Sequence, residues 1–275
     1  MGYLNACRFT YNGISSELYD LVVCFDGLEE DVATGLGREI IKGEVNMVRH
    51  KANQYGTVYN EVTPIEFMIM HPNGKEFTIL ESRSINKWLQ TNTYCPLSFN
   101  NEKGTELYYK AICTQIVDKN YGGHIAKLVT FEADSPFAYE RQITKVKSVT
   151  DRDIRIYNSS DDGIYYPILK LKANQENIII TNTSDKNQQM TLCIPSEYQN
   201  EDITINTALM QILDKDNVPI PLNKIGWTIN TSENIGLQSS SFYWLRLVSE
   251  INRITVEGNC TLEILCEYPR KAGIL

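Results

Sequence analysis

Three histidines are the residues of this chain best suited to acid–base or metal chemistry: His50, His71 and His124. They lie far apart in the sequence, and none has a partner at the H-x-x-H or H-E-x-x-H spacing of a zinc-binding helix. A metal site needs three or four ligands that converge on one point. We therefore interpret the histidines as surface or structural residues and predict no metal site.

Two loops begin like ligand-binding motifs and then depart from them. Gly35–Gly37 opens like a dinucleotide fingerprint, but Ile40 replaces the third glycine and no strand–helix unit surrounds it. Asp214–Asn217 opens like a calcium loop, but Pro219 replaces the glycine that the loop requires. The sequence contains neither a Walker phosphate loop nor a G-x-S-x-G nucleophile turn. We predict no cofactor.

Adjacent carboxylates such as Glu29–Asp31 are the remaining candidates for catalysis, because a glycosidase uses two carboxyl groups at a set separation. Acidic clusters are common on protein surfaces, and the sequence does not show how far apart two carboxyl groups lie. We therefore predict no catalytic residues and a protein that is not an enzyme. An enzyme that cleaves glycosidic bonds is the weakest of our hypotheses.

Aromatic side chains that could contact sugars suggest a second hypothesis, a carbohydrate-binding module. Trp227 and Tyr243 are the candidate sugar contacts. For Trp244, which follows Tyr243 in an apolar segment, we favour packing in the core, because large aromatic side chains mostly stabilise proteins by burial.

The composition is that of a globular protein with an acidic balance. The 275 residues include 26 Lys+Arg and 34 Asp+Glu, which gives a formal charge of −8. This balance argues against a dedicated nucleic-acid binder. The sequence has no apolar run of membrane-spanning length and no apparent export signal, so we expect no membrane insertion. None of the seven cysteines forms a C-x-x-C motif, and we expect reduced thiols.

Hydrophobic residues alternate with a period of two along most of the chain, which predicts a mainly β protein. Two hairpins are predicted: Pro64–Met70 with Lys75–Leu80, and Arg253–Glu257 with Cys260–Glu267. The other predicted strands are Cys7–Tyr11, Leu18–Cys24, Leu107–Val117, Ile125–Phe131, Tyr165–Leu171, Asn177–Asn182, Met190–Ile194, Ile203–Leu213 and Phe242–Val248.

One short helix and one domain boundary complete the prediction. The residues Ser82–Ser84 are the candidate N-cap of the helix, and Ile85, Trp88 and Leu89 fall on one of its faces. A polar, charged stretch near residues 141–152 suits a linker or a connecting strand. We therefore expect two β-rich domains, 1–142 and 143–275.

A series of weak motifs runs along nearly the whole chain in a characteristic order. The segment Phe9–Val23 carries an F-x-F-N-G-x-x-S pattern, with Tyr11 in place of the second Phe. The later segments are Ser84–Leu89, Tyr108–Val117, His124–Tyr139, Asn177–Asp185 and Phe242–Tyr268. In this order, the chain resembles the distal tail (Dit) proteins of siphophages. One departure is the loop Gly37–Ile40, which lacks the second glycine of the family's Gly-Arg-x-Gly pattern.

The resemblance implies a fold and a role. The N-terminal domain would be a split-barrel-like β domain with one short helix, followed by a C-terminal galectin-like β-sandwich. Six copies would form a ring at the tail tip or baseplate, assembled in the host cytoplasm. The ring would join the tail tube protein to tail-tip and receptor-binding proteins, and DNA would pass through its lumen without specific binding. For such a protein, the ligand of the alternative carbohydrate-binding module would be the host cell-wall polymer, and the enzyme of the weakest hypothesis would degrade the cell wall.

The region Leu28–His50 is rich in glycine and charge and poorly patterned as core, which suits a protruding arm. We expect it to supply the ring contacts. The predicted interface residues are Gly35, Gly37, Arg38, Lys42 and Gly43.

Overall fold

A computed structural model describes residues 8–24, 38–46, 51–59, 64–99, 107–121, 124–147, 153–225 and 242–271. These residues form eighteen β-strands and two α-helices, so the mainly β fold class is confirmed. The chain divides into two compact units, Met1–Glu140 with Arg270–Leu275, and Arg141–Pro269. No helix in the described ranges is long and apolar enough to cross a membrane.

The first unit contains one antiparallel sheet, one helix and a separate two-stranded ribbon. Its elements are β1 (Phe9–Tyr11), β2 (Ile14–Ser15), β3 (Val22–Cys24), β4 (Arg38–Asn46), β5 (Lys51–Tyr59), β6 (Ile65–Met70), α1 (Ile79–Leu89), β7 (Cys95–Phe99), β8 (Leu107–Tyr121) and β9 (His124–Ala133). The sheet order is β3-β6-β9-β8-β7-β1-β2, and β4 pairs with β5 alone. The core of this unit lies between the sheet and α1.

The helix α1 begins earlier than the sequence prediction. Thr78 is its N-cap: the Thr78 hydroxyl accepts from the Glu81 backbone N–H, and the Glu81 carboxylate accepts from the Thr78 backbone N–H. This reciprocal pair is a capping box, so the predicted cap at Ser82–Ser84 is wrong. The predicted buried face of Ile85, Trp88 and Leu89 is confirmed.

The first predicted hairpin is also wrong. After β6 the chain turns at Pro72 and Asn73, but Lys75–Leu80 forms no returning strand and instead leads into α1. The partners of β6 are β3 and β9, which lie far from it in the sequence. Alternation showed that β6 is a strand, but it did not show which strand hydrogen-bonds to it.

The second unit is built from two antiparallel sheets that share one core. Its elements are β10 (Ala138–Lys147), β11 (Ile154–Asn158), β12 (Ile168–Ala173), β13 (Asn177–Asn182), β14 (Gln188–Cys193), β15 (Asp202–Asn206), β16 (Gln211–Leu213), α2 (Leu222–Ile225), β17 (Glu250–Glu257) and β18 (Cys260–Arg270). One sheet has the order β16-β15-β12-β18-β10 and the other β11-β17-β13-β14. Their inward-facing side chains form a single apolar cluster.

The predicted C-terminal hairpin is wrong in its pairing. Both strands exist with the predicted alternation, but β17 pairs with β11 and β13, whereas β18 pairs with β12 and β10. The connection at Gly258 therefore carries the chain from one sheet to the other. Gly258 has φ +105°, and a Cβ there would lie 2.6 Å from the carbonyl oxygen of Asn177. Only glycine fits this crossing.

Three further strand predictions differ from the structure. Leu18–Cys24 begins in a 3₁₀ turn, Ser16–Tyr19, and only Val22–Cys24 forms a strand. Ile203–Leu213 is two strands, β15 and β16, joined by a turn. Phe242–Val248 forms no regular strand. Its one described ladder contact is an isolated antiparallel bridge between Leu247 and Tyr165. Trp244 is buried in the second core, as predicted.

The described cysteines carry free thiols: Cys24, Cys95, Cys113, Cys193, Cys260 and Cys266. Burial raises the pKa of Cys266 to about 11, so this thiol is a poor nucleophile at neutral pH. Cys7 lies outside the described residues.

Candidate interaction surfaces

The ribbon of β4 and β5 is the element that carries the predicted ring contacts. Arg38, Lys42 and Gly43 lie on β4, while Gly35 and Gly37 fall outside the described residues. The two strands pair from Arg38 opposite Tyr59 to Asn46 opposite Lys51. The register shifts between Lys42 and Val45, which places Gly43 within a β-bulge.

No other described strand hydrogen-bonds to this ribbon. A two-stranded hairpin is marginally stable in water by itself, and each of its outer edges presents unpaired backbone groups. Ile41, on β4, is an apolar side chain that is 47% exposed. Among the described residues, the ribbon therefore combines backbone edges that no strand covers with an exposed apolar side chain, as expected of an assembly element.

Tyr243, one of the two predicted sugar contacts, belongs to an internal polar cluster. Its hydroxyl donates to Asp185 Oδ2 at 2.7 Å. Arg246 donates to the same carboxylate through Nε at 2.7 Å and Nη2 at 3.1 Å. Burial, followed by the hydrogen bond to Asp185, raises the pKa of the Tyr243 phenol. Trp227 lies outside the described residues, and a sugar-contact role for either residue stays a prediction.

Asp185 is the centre of this cluster and is only 5% exposed. Its loop is held by Asn182, whose side chain donates to the carbonyl of Arg246 at 2.8 Å and to Asn252 Oδ1 at 2.9 Å. The Arg246 hydrogen bonds, opposed by burial, hold the pKa of Asp185 below its usual range. The sequence reasoning missed both members of this ion pair, although Arg246 stands out as the one charged residue within Phe242–Val248.

We expect Asp185→Asn to lower the free energy of unfolding by about 2 kcal/mol at pH 7, because Arg246 and Tyr243 lose the carboxylate that accepts their hydrogen bonds. The loss is no larger because Arg246 stays partly hydrated. The pKa of Asp185 is lower in the folded protein than in the unfolded chain, where an aspartate has a pKa of about 3.9. Its carboxylate therefore stabilises the fold fully above that pH, and this stabilisation is lost as the pH falls through the pKa of the folded state. The difference between the two proteins should therefore shrink in acid, measured by urea unfolding at several pH values. An equal difference at pH 7 and pH 2 would contradict this account.

The other described residues that were considered for chemistry are not brought together. The His71 ring is buried, with Nδ1 3.0 Å from the carbonyl oxygen of Asp20 and Nε2 without a described partner. His124 begins β9, and His50 and Glu29–Asp31 lie outside the described residues. Asp214 accepts from the backbone N–H groups of Asp216 and Val218, which closes a turn. Within the described ranges, no group of three His, Cys, Asp or Glu could hold a metal ion.

Two family models match consecutive parts of the sequence. One, the phage tail protein N-terminal domain, matches residues 4–135. The other, the phage tail C-terminal domain, matches residues 137–266, so that together the models span almost the whole chain. The chain belongs to the phage tail proteins. A search of curated proteins finds no match to this phage tail protein.

The fold agrees with the family. Seven chains of solved structures match, among them the Dit protein (gp 19.1) of phage SPP1, described as a paradigm of the hub adsorption apparatus in Gram-positive infecting phages. The alignment has a TM-score of 0.59 at 12% identity and covers 95% of this chain and 98% of that chain. The predicted resemblance to the distal tail proteins is therefore confirmed at the level of the fold. As a phage tail protein, the molecule is a structural part of the virion.

Proposed function

We propose that this phage tail protein forms a hexameric ring at the tail tip, which connects the tail tube to the tail-tip and receptor-binding proteins. The observation that carries the proposal is the β4–β5 ribbon, which pairs with no other described strand and so offers two edges to a partner. The shared fold with the SPP1 hub protein supports the same role.

Ring closure explains how the ribbon edges could be satisfied. When each copy places its ribbon against a different surface of the next copy, the contact is heterologous, and a rotation that closes leaves no copy unpaired. In this proposal Gly35, Gly37, Arg38, Lys42 and Gly43 contribute to the contact. Backbone pairing along the ribbon would supply much of its geometry, and the Gly43 bulge would set its twist.

The two domains would have different roles. The domain 1–142 would form the ring, and the domain 143–275, as a galectin-like sandwich, would hold tail-tip or receptor-binding proteins. The acidic balance of the chain, −8, suits a ring whose lumen passes DNA without holding it. Assembly would take place in the host cytoplasm, and the function would require neither catalysis nor a cofactor.

The solution mass of the purified chain tests the ring directly. We expect light scattering to give six times the chain mass of 31.4 kDa, with rings in negative-stain images. A single-chain mass over the whole accessible concentration range, with both units folded, would contradict a ring that assembles by itself.

A further inference from the structure

The outer face of strands β11 and β17 carries two side-chain pairs that no described residue covers. Arg155 lies directly opposite Arg253, and Tyr157 lies directly opposite Ile251. Tyr157 is 59% and Ile251 55% exposed, and both arginines are exposed as well. We call these four residues the arginine–tyrosine face.

Backbone hydrogen bonds show how close the paired side chains lie. The carbonyl of Arg253 accepts from the Thr183 N–H, and the Arg253 N–H donates to the Ser184 hydroxyl. The carbonyl of Ile251 also accepts from Ser184. The backbone groups of Arg253 and Ile251 therefore point away from β11, so both cross-strand pairs are of the non-hydrogen-bonded type. In such pairs the Cα atoms are about 4.5 Å apart and the side chains are close.

No described side chain balances the charge of the two guanidinium groups. Neither arginine makes an ion pair with any residue that the structure describes, and the exposed carboxylates of Asp153 and Glu257, which flank them along the strands, do not reach them. Like charges directly opposite each other destabilise an antiparallel pair. A pair of arginines is also suited to bind carboxylates, because each guanidinium can donate two parallel hydrogen bonds.

Tyr157 and Ile251, which lie next to the two arginines, add an exposed aromatic and apolar surface suited to binding a protein. Tyrosine and arginine are the residue types most enriched where partners bind tightly, and an exposed isoleucine gains from burial only against an apolar group. Arg155 and Tyr157 are two residues apart on one strand, as are Ile251 and Arg253, which is the repeat of alternate side chains in an extended peptide. β11 is moreover the edge strand of its sheet.

We propose that the arginine–tyrosine face binds an extended, acidic segment of another tail protein, in which carboxylates and apolar side chains alternate along one face. The carboxylates would lie between Arg155 and Arg253, and the apolar side chains would cover Tyr157 and Ile251. Charge complementarity carries the choice of partner, since two cations without a described counter-charge lie exposed on an otherwise acidic chain. The inference rests on the proposed function in that the second unit holds a partner.

A charge-reversal experiment with the full-length chain tests this proposal. The probe is a fluorescent peptide of Glu-Ser-Val-Ser repeats, and its counterpart replaces Glu with Lys. We expect the acidic peptide to bind the natural protein at low salt, and Arg155→Glu with Arg253→Glu to weaken it at least about tenfold while gaining affinity for the Lys peptide. Lys170→Glu with Lys172→Glu is the matched control, because both lysines are exposed on β12 and the change in net charge is the same.

Other outcomes overturn the proposal. If the acidic peptide does not bind, or if the lysine control weakens it equally, the face is not the binding surface. A third outcome is that polyphosphate binds as tightly as the peptide and that the double variant Tyr157→Ser with Ile251→Ser alters neither affinity. In that case the face is an anion site without a protein partner. If the arginine reversal instead lowers the self-association of the chain, the occupant is a second copy.

The variants also separate this proposal from the ring. Arg155→Glu replaces a repulsive cross-strand pair with an attractive one, so we expect it to raise the melting temperature while it weakens binding of the acidic peptide. It should leave the hexameric mass unchanged. A failed ring with intact peptide binding would refute only the proposed assembly, and an intact ring without peptide binding would refute only the arginine–tyrosine face.

Discussion

Replacing residues 38–59 with a short Gly-Ser loop is expected to reduce the mass of the assembly from six chains to one. The ribbon pairs with no other described strand, so its removal takes no hydrogen bond from the sheet of the first unit. Its loss would remove the edges through which copies pair. Light scattering gives the mass, and circular dichroism with thermal unfolding shows whether both units remain folded.

A point variant keeps the ribbon and tests the same contact. Ile41 is an exposed apolar residue on β4, so Ile41→Glu should weaken assembly if neighbouring copies bury it. Leu18→Glu is the control, since Leu18 is an exposed apolar residue of the same unit outside the ribbon. Rings that persist after removal of the ribbon would refute its assignment to the interface.

Trp88→Ala is expected to lower the free energy of unfolding of the first unit by about 4 kcal/mol, the usual cost of truncating a large buried aromatic. The Trp88 ring is 5% exposed and stacks on Phe9 at 5.2 Å and on Tyr19 at 4.9 Å between ring centroids. Its indole N–H donates to the carbonyl of Tyr11 at 3.0 Å. The substitution removes both stacks and leaves a buried carbonyl without this donor.

Two matched substitutions separate packing from hydrogen bonding. Trp88→Phe keeps an aromatic ring but loses the N–H, and we expect about half the loss caused by the alanine. Ile79→Ala lies on the same helix, but Ile79 is 88% exposed, so its effect should stay within about 0.5 kcal/mol. Urea unfolding, monitored by far-UV circular dichroism so that the signal does not depend on tryptophan, compares the three variants. Equal effects for Trp88→Ala and Ile79→Ala would contradict the anchoring role.

Local alternation located most of the strands, because a strand with one buried face must place apolar residues at every second position. Asn177–Asn182 has the predicted bounds in the structure, and the alternation of Cys260–Glu267 is confirmed. The start of α1 is set by the capping box of Thr78 and Glu81 and not by the apolar spacing, although the T-x-x-E pattern is itself a local sequence signal. The family was identified from the order of its motifs, and no single residue would have been sufficient.

Local patterns did not predict which strands pair or which distant side chains meet. The order of strands along the chain predicts hairpins, yet β6 pairs with β3 and β9, and β17 and β18 belong to different sheets. Burial of two inner faces against each other outweighs the proximity of neighbouring strands, and Gly258 permits the crossing. The Asp185–Arg246 ion pair likewise joins residues 61 positions apart, a contact that no local pattern encodes.

The sequence by itself determined the mainly β class, the buried face of α1, the core position of Trp244 and the phage tail family, because these follow from periodicity and from motif order. Only the tertiary structure decided which strands pair, that β4 and β5 pair only with each other among the described strands, and that Arg155 faces Arg253. The physical reason is that alternation specifies which side of a strand is buried but leaves open which other strand completes its hydrogen bonds. That choice is made by the packing of the whole core.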